Sequence, residues 1–376
     1  MVDLRGQYQP IKADINRRLQ QIIESGAFVG GAAVSEFAHQ LADYLSVANV
    51  IPCANGTDAL QIALMAAGLQ AGDEVITVSF TFVATTEVIA LLGLKPVFVD
   101  IDPRTYTLDT KQIEAAITPR TKCIIPVHLY GQCADMQPIM DIARRYNLYV
   151  IEDNAQAVGA DYCAPDGTTQ KAGTIGHIGC TSFYPSKNLG CYGDGGALFT
   201  NDSTIADKLR VIANHGQREK YTSELVGVNS RLDAMQAAVL SAKLPHLPQY
   251  TAARQRAAQY YDVHLADLPQ LILPYRAPYS SHVFHQYTVQ CRNEQTRNAL
   301  RQYLQTAGVP TMIYYPVPAH QQPAYRAYCR PKSALPHTEH AAKTVLSLPM
   351  HTELSEEQLA YIVEQVRLFF HLNKQN

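Results

Sequence analysis

Short apolar runs alternate with longer amphipathic stretches between about residue 50 and residue 200 of the chain. An apolar run bounded by turn residues predicts a buried strand, and an apolar stripe at helical spacing predicts a helix. The predicted strands are DEVITVSF (73–80), KPVFVD (95–100), KCIIPVHLYG (122–131) and LYVIED (148–153), and the predicted helices include GTDALQIALMAAG (56–68), DTKQIEAAI and MQPIMDIARRY. This alternation indicates an α/β fold with a mostly parallel, doubly wound sheet, whose ligands bind beyond the carboxyl ends of the strands.

The pattern changes near residues 245–275, where several prolines accompany the polar helical stretch YTAARQRAAQYYDVHLADL. Beyond it, HQYTVQC predicts a strand, and NEQTRNALRQYLQTAG predicts a helix that ends at Gly308. The last helix is predicted to begin at Ser355, because Gln358 follows three residues later as in a capping box. We therefore predict a large domain over residues 10–245 and a smaller C-terminal α+β domain over residues 246–376.

Composition narrows the classes of function. The 376 residues include 31 Lys and Arg against 33 Asp and Glu, so no net field favours nucleic acid or an acidic membrane. The N-terminus MVDLRGQYQP lacks the apolar core of a signal peptide, and no apolar run approaches the roughly 18 residues that span a bilayer. The eight cysteines contain no C-x-x-C pair and no zinc-like cluster. These features predict a soluble cytoplasmic protein that binds neither nucleic acid, membrane nor metal.

A predicted helix start and a predicted strand end carry residues suited to a charged ligand. CANGTDAL (53–60) places Asn55, Gly56 and Thr57 just before a helix, where free N–H groups and the positive helix end can bind phosphate. An ordinary N-cap formed by Thr57 would explain the same residues. Asp153 ends the strand LYVIED and Gln156 follows three residues later, although an aspartate in this position can simply cap a helix.

A single lysine, Lys187, lies in SFYPSKNLGCYGDGGALFTN (182–201), between a strand-like run and a glycine-rich turn. Apolar surroundings lower the pKa of a lysine and free its amine to form a Schiff base, whereas most lysines are solvated surface charges. Phe82 follows another predicted strand, and core packing is the ordinary explanation for such a residue. Together, a phosphate cradle, an acid, an aromatic ring and a lysine are what pyridoxal phosphate needs from a protein.

Four long motifs carry a resemblance to a known family: CANGTDALQIAL, IIPVHLYGQCADM, TSFYPSKNLGCYGDGGALFTND and VGVNSRLDAMQAA. With VDLRGQY near the start and SLPMH at 347–351, they cover nearly the whole chain. The chain resembles the DegT/DnrJ/EryC1/StrS sugar aminotransferases of pyridoxal-phosphate fold type I. The resemblance implies a large domain with a mostly parallel seven-stranded sheet between helices, a smaller C-terminal domain, and residues 1–9 packed near the active site.

The resemblance also assigns roles. Lys187 would form the internal aldimine, Asp153 would pair with the pyridine nitrogen, and Gln156 would contact the phenolic oxygen. The residues implied to hold the cofactor, pyridoxal phosphate or its pyridoxamine form, are Gly56, Thr57, Asp58, Phe82, Asp153, Gln156, Ser182, Lys187 and Asn229. Asn229 would reach the phosphate from the neighbouring subunit, so the resemblance implies a homodimer with shared active sites. Relatives that dehydrate sugars carry a histidine where this chain has Lys187, so transamination is implied.

The implied substrates are L-glutamate and a nucleotide-linked ketosugar. Among family members, the chain is most similar to those that aminate UDP-2-acetamido-2-deoxy-3-oxo-glucuronate at C3 in O-antigen biosynthesis. The residues implied to contact substrate are Gly26, Phe28, Ser186, Arg231, Tyr314, Tyr315 and His320. Phe28 and Tyr314 stand where those relatives carry a tyrosine and a histidine. Two alternatives stay open: 3- or 4-amination of a dTDP- or GDP-linked 6-deoxy ketosugar, and a sensor or regulatory protein that keeps the fold.

Overall fold

Apolar strands and amphipathic helices alternate along the first half of the chain, as their pattern predicts. The structure is a computed structural model that describes residues 1–328 and 334–372. Its strands are β1 (Asn49–Cys53), β2 (Glu74–Val78), β3 (Lys95–Val99), β4 (Thr121–Ile124), β5 (Tyr149–Asp153), β6 (Asp161–Cys163), β7 (Thr169–Lys171), β8 (Ile178–Ser182), β9 (Gly196–Thr200), β10 (Gln217–Glu219), β11 (Thr222–Ser223), β12 (Leu271–Ile272), β13 (Tyr287–Cys291) and β14 (Val345–Leu348). Its α-helices are α1 (Leu4–Tyr8), α2 (Lys12–Ser25), α3 (Gly31–Leu45), α4 (Gly56–Ala66), α5 (Ala84–Leu91), α6 (Ile113–Ala116), α7 (Met136–Tyr146), α8 (Ser203–Ala213), α9 (Ala234–Lys243), α10 (Leu247–Leu265), α11 (Glu294–Thr306), α12 (Pro336–Thr344) and α13 (Glu356–Leu372).

A seven-stranded sheet in the order β1-β9-β8-β5-β4-β2-β3 forms the centre of the larger part. β9 pairs antiparallel with β1 and with β8, and the other neighbouring strands pair in parallel. The predicted α/β class with a mostly parallel seven-stranded sheet is therefore confirmed. Because β2, β4, β5 and β8 run in one direction, their carboxyl ends meet at one edge of the sheet, which is where such folds bind ligands.

Helices cover both faces of this sheet, which explains why its strands are continuously apolar rather than alternating. All five residues of β2 are buried. One face packs against α4, α5 and α8 through residues such as Leu60, Val88 and Leu209, and the other packs against α6 and α7. α3 and α9 cover the end of the sheet where β1 and β9 lie. The sheet is thus held rigidly beneath the edge that carries the candidate residues.

The C-terminal part has a core of its own. β12, β13 and β14 form an antiparallel sheet that packs with α10, α11 and α13. Val283, Ala341 and Val345 from this part also pack into the core of the large sheet, so the two parts share buried surface. The proposed boundary between residues 245 and 246 stays a prediction; in the structure, α10 begins at Leu247.

Two local predictions are wrong and one is confirmed. The strand predicted over 122–131 ends at Ile124, because the following backbone forms a loop in which Tyr130 adopts a positive φ of 60°. The cap of α4 is Asn55 rather than Thr57, since the Asn55 side chain accepts from the N–H of Asp58 at 2.8 Å. At the last helix, Ser355 and Gln358 exchange hydrogen bonds of 3.1 and 3.2 Å, as the capping box predicts.

The N-terminal helices pack against the large part. α2 contacts α9 through Ile15 and Val239. Tyr8, the last residue of α1, meets the ring of Tyr192 edge-on with 6.2 Å between the ring centroids. Tyr192 lies close to Lys187 in the sequence, and the packing of residues 1–9 near the active site stays a prediction. Over residues 1–328 and 334–372, no helix is long and apolar enough to cross a membrane.

Candidate active site

Asp153 lies at the carboxyl end of β5, buried at the ligand-binding edge with 6% of its surface exposed. The Thr85 hydroxyl donates to its Oδ2 at 2.7 Å, and the N–H of Ala155 donates to its Oδ1 at 3.2 Å. These donors fix the orientation of the carboxylate. Sequence reasoning missed Thr85. The available signal was a pair of threonines, Thr85 and Thr86, in the first turn of α5.

Gln156 lies beside Asp153 and connects two loops. Its Oε1 accepts from the N–H of Tyr130 at 2.8 Å, and its Nε2 donates to the Tyr315 hydroxyl at 2.9 Å. The Tyr315 ring lies 6.1 Å from the ring of Phe82, which is 55% exposed. Burial raises the pKa of Tyr315, so this phenol stays protonated at neutral pH. The structure therefore brings Gln156, Phe82 and Tyr315 together next to Asp153.

A buried pair, His128 and Glu152, supports the sheet edge that carries Asp153. The Nδ1 of His128 accepts from the N–H of Ala134, which leaves Nε2–H to donate to Glu152 at 2.8 Å. Glu152 also accepts from the N–H groups of Gly173, Ile175 and Gly176, and both members of the pair are fully buried. The N–H of His128 donates to the carbonyl of Asp153 at 3.0 Å. His128 thus holds the loop that leads to Tyr130 against the strand that carries Asp153.

The start of α4 forms a cradle suited to an anion. Gly56 opens the helix, and a Cβ at this position would lie 2.7 Å from the Cβ of Ser182 at the end of β8. Glycine therefore allows the helix to approach the strand closely. The first N–H groups of a helix have no partner within the helix, and its dipole favours negative charge. Gly56, Thr57 and the Ser182 hydroxyl accordingly fit a phosphate, whereas Asn55 already uses the N–H of Asp58.

Lys187 lies at the tip of a tight turn between β8 and β9. The turn is closed by the N–H of Cys191, which donates to the carbonyl of Phe183 at 2.8 Å, and the N–H of Lys187 donates to the carbonyl of Tyr184 at 2.8 Å. Burial lowers the pKa of Lys187 from 10.5 to about 8, against the opposing effect of the Asp153 carboxylate. The amine therefore lies within electrostatic reach of Asp153 and is partly unprotonated near neutral pH. Ser186 lies half-buried in the same turn.

Four other candidates form an exposed rim: Gly26, Phe28, Asn229 and Arg231. Asn229 and Arg231 are exposed, and between them Ser230 is buried and accepts from the N–H of Ala54 at 3.0 Å. Phe28 is 48% exposed, and its carbonyl accepts from the N–H of Ala234. Gly26 ends α2 with a positive φ of 66°. In the part of the chain that the structure describes, no hydrogen bond, ion pair or ring contact joins these four rim residues to Lys187 or Asp153.

Family comparison decides how this arrangement is to be interpreted. The model of the DegT/DnrJ/EryC1/StrS aminotransferase family matches residues 9–367. The chain belongs to this family. The predicted family is therefore confirmed, and so is the predicted class of enzyme, a pyridoxal-phosphate-dependent sugar aminotransferase.

Individual relatives extend over almost the full length. The chain is 48% identical to a UDP-2-acetamido-2-deoxy-3-oxo-D-glucuronate aminotransferase of Pseudomonas aeruginosa, covering 96% of this chain and 97% of the relative. It is 47% identical to a pleiotropic regulatory protein of Geobacillus stearothermophilus, covering 98% of each. The crystal structure of NtdA from Bacillus subtilis with bound cofactor PMP superposes with a TM-score of 0.89 at 34% identity, covering 96% of this chain and 82% of that one. Further relatives at 38% to 45% identity are named for UDP-, dTDP- and GDP-linked sugars.

The loop that follows Met312 carries the remaining substrate candidates of this family member. The carbonyl of Tyr314 accepts a short hydrogen bond from Tyr130. His320 is held at both ring nitrogens: Nδ1 lies 2.7 Å from the Ser79 hydroxyl, and Nε2 lies 3.4 Å from the Glu339 carboxylate. His320 therefore ties this loop to the end of β2, and its contact with substrate stays a prediction. Within the described residues, no group of three His, Cys, Asp or Glu could hold a metal ion.

Proposed function

We propose that this protein transfers the amino group of L-glutamate to the 3-keto carbon of UDP-2-acetamido-2-deoxy-3-oxo-glucuronate, in the biosynthesis of a cell-surface polysaccharide such as O-antigen. The observation that carries the proposal is that Lys187, whose pKa burial lowers to about 8, lies within electrostatic reach of the buried Asp153 carboxylate, at the same sheet edge as the Gly56 cradle. Family members need a reactive amine, a fixed acid and a phosphate site in this arrangement.

Each residue at the sheet edge fits the cofactor. Pyridoxal phosphate, when bound, supplies an electron sink that stabilises charge developing on the α-carbon of the amino donor. Lys187 would bind the aldehyde carbon, and Asp153 would hold the ring nitrogen protonated. Gln156 would contact the phenolic oxygen, with Phe82 against the ring. The phosphate would take the N–H groups and hydroxyls of Gly56, Thr57 and Ser182, whereas the N–H of Asp58, also a predicted cofactor residue, already donates to Asn55.

Lys187 is also suited to move protons. An amine with a pKa near the working pH can accept a proton from the α-carbon of glutamate and return it in the reverse direction when the sugar is aminated. The neutral Tyr315 and Gln156 provide fixed hydrogen-bonding groups near Asp153 without adding charge. Because glutamate and the ketosugar would use the same pocket in turn, we expect ping-pong kinetics.

The substrate is inferred from the rim and the relatives. A relative named for the UDP-linked uronate is 48% identical over 96% of the chain. Arg231 has the fork geometry to bind either a sugar carboxylate or a diphosphate, and we propose that it acts in the active site of a second subunit. Asn229 would likewise reach the phosphate of that neighbour. The assembly would be a homodimer located in the cytoplasm, and Gly26, Phe28, Ser186, Tyr314 and His320 would border the sugar.

Reductive labelling tests the class of chemistry at the residue level. We expect borohydride treatment of the protein with pyridoxal phosphate to attach the label to Lys187, with peptide mapping as the measurement. Exposed Lys111 provides an internal control that reports non-specific labelling. Labelling of another lysine in place of Lys187 would contradict the proposed cofactor site.

Assays with defined sugars test the substrate. We expect glutamate-dependent amination of the UDP-linked 3-oxo-glucuronate, and 2-oxoglutarate release measured at the same time. Turnover only with dTDP- or GDP-linked 6-deoxy ketosugars would support the alternative that relatives at 38% and 40% identity favour. A protein that remains colourless with added pyridoxal phosphate would instead favour a regulatory role, for which a relative at 47% identity is named.

A further inference from the structure

Lys243, the last residue of α9, is a second lysine inside the protein. Its side chain is buried at 1% exposure on a helix whose other buried residues are mostly Ala, Val and Leu. Burial lowers the pKa of Lys243 to about 8. Placing an amine in such surroundings costs free energy that an aliphatic side chain would avoid. The packing of α9 alone therefore gives no reason for a lysine here.

The groups that face this amine are consecutive residues of the Lys187 turn. Nζ of Lys243 donates to the carbonyl of Gly190 at 2.8 Å and lies 4.5 Å from the centroid of the Tyr192 ring. The thiol of Cys191, between them, is within electrostatic reach of the same amine. α9 provides a second contact through Gln236, whose Oε1 accepts from the N–H of Tyr192 at 2.8 Å. The Lys243 amine thus binds residues 190–192, the outgoing arm of the turn that carries Lys187, to α9.

This outgoing arm is in close contact with the incoming arm, the residues that lead into Lys187. A Cβ on Gly190 would lie 2.4 Å from the carbonyl oxygen of Pro185, so the two arms touch through backbone atoms. Pro185 precedes Lys187 by two residues. A shift of Gly190 would therefore displace the backbone that leads directly into Lys187. On the other side, Asn188 donates to the carbonyl of Val283 at 3.0 Å, which limits the turn from the C-terminal part.

We propose that Lys243 is a positioning residue, whose amine fixes the arm 190–192 on α9 and thereby sets the place of the Lys187 amine. This inference rests on the proposed role of Lys187 in binding the cofactor. A misplacement of a reacting group by about 1 Å can slow an enzyme by about 100-fold, so a remote anchor of this kind has a measurable effect on turnover.

Lys243→Met tests the proposal, because methionine keeps an unbranched apolar side chain but removes the donor. Lys208→Met is the matched control: Lys208 also donates to a backbone carbonyl, that of Ala66 at 2.6 Å, away from the turn. We expect amide hydrogen exchange over 184–192 to become about 10-fold faster in Lys243→Met, with and without pyridoxal phosphate. We also expect kcat to fall by about 10- to 100-fold with little change in KM for glutamate.

Gln236→Leu provides a milder variant that removes the exposed hydrogen bond to Tyr192 and should change exchange in the same direction. Unchanged exchange over 184–192 in both folded variants, or equal effects in Lys208→Met, would overturn the proposal. If Lys243→Met does not fold, Gln236→Leu alone decides. Exchange without cofactor does not depend on transamination. If the wild-type chain is not labelled at Lys187, the proposed function is contradicted. The hydrogen-exchange result over 184–192 would still show whether Lys243 fixes the turn.

Discussion

The two sides of the candidate site differ in how they are built. On the sheet side, Asp153 and Gln156 are each 6% exposed, and their side chains are fixed by hydrogen bonds from Thr85 and Tyr130. On the rim, Phe28 is 48% exposed, and Asn229 and Arg231 are exposed as well. The side chains of the sheet side are therefore fixed by contacts within their own chain, whereas in the described part of the chain no such contact joins the rim residues to Lys187 or Asp153.

This difference separates two requirements of the reaction. A cofactor that stays bound through every cycle benefits from a rigid, preorganised set of donors and charges. Substrates that enter and leave in turn need an accessible surface, and a second subunit can supply it. The comparison leads us to expect large, uniform losses from changes on the sheet side. Changes on the rim should give smaller losses that depend on the partner subunit.

Lys187→Ala should have the largest effect. The residue would bind the cofactor and move the proton, so we expect transamination to fall by at least about 10⁴-fold. Initial rates of 2-oxoglutarate release are the measurement, and retained thermal stability shows that the variant folds. Lys243→Met is not a substitute for this experiment, because its expected loss is far smaller. If Lys187→Ala keeps activity close to that of the wild-type chain, the expected difference between the sheet side and the rim is contradicted.

Asp153→Asn should have the next largest effect. Asparagine keeps the shape and can still accept from Thr85, but it lacks the charge that would keep the ring nitrogen protonated. We expect kcat to fall by about 10²- to 10³-fold, since a fixed charge aimed at the reacting system is lost. Thr85→Val is a matched control that removes the supporting hydroxyl and retains the carboxylate. An Asp153→Asn variant no slower than Thr85→Val would contradict the assigned role of the charge.

The candidate residues that the structure brings together on the sheet side could be picked out from the sequence for a physical reason, although their roles stay predictions. Strand–helix alternation and strand-end polar residues are local patterns, and Asp153, Gln156 and Lys187 lie within such patterns. Thr85, His128 and Lys243 were missed because their partners lie 68, 24 and 53 residues away, so their contacts exist only in the folded chain. The same dependence on distant partners explains the wrong extent of the strand over 122–131. Beyond Ile124, among the described residues, only a single parallel bridge, between Val127 and Asp153, continues the pairing, and the N–H of Tyr130 donates to Gln156 instead. Roles on the rim came from family resemblance and stay predictions.

Arg231→Gln tests whether the rim serves another subunit. Losing a charge-assisted contact should lower kcat/KM for the ketosugar by about 10- to 100-fold. Co-expression of Lys187→Ala with Arg231→Gln should then restore activity, because a mixed dimer contains one site with both native residues. Random assortment would give about one quarter of the wild-type rate. Activity that does not exceed the sum of the two parents would place Arg231 in the site of its own chain.

The smallest expected effect concerns the coupling between the two charges on the sheet side. Lys187 has a pKa of about 8, against 10.5 for an ordinary lysine, and the Asp153 carboxylate holds it from falling further. In the cofactor-free chain, reductive methylation of Lys187 by formaldehyde should rise with a midpoint near pH 8. Asp153→Asn should lower that midpoint, since it removes the charge that favours the protonated amine, and labelling at pH 7 should become faster.

Peptide mass spectrometry across a pH series measures methylation of Lys187 in the wild-type chain and in Asp153→Asn in parallel. Exposed Lys111 serves as the reference for the reagent's own dependence on pH. The direction of the midpoint shift is decisive, because Asp153→Asn should slow transamination and yet make the Lys187 amine more reactive toward formaldehyde. A midpoint that does not fall in Asp153→Asn would mean that the carboxylate does not favour the protonated form of Lys187. The sheet side would then be two separate groups rather than one coupled pair.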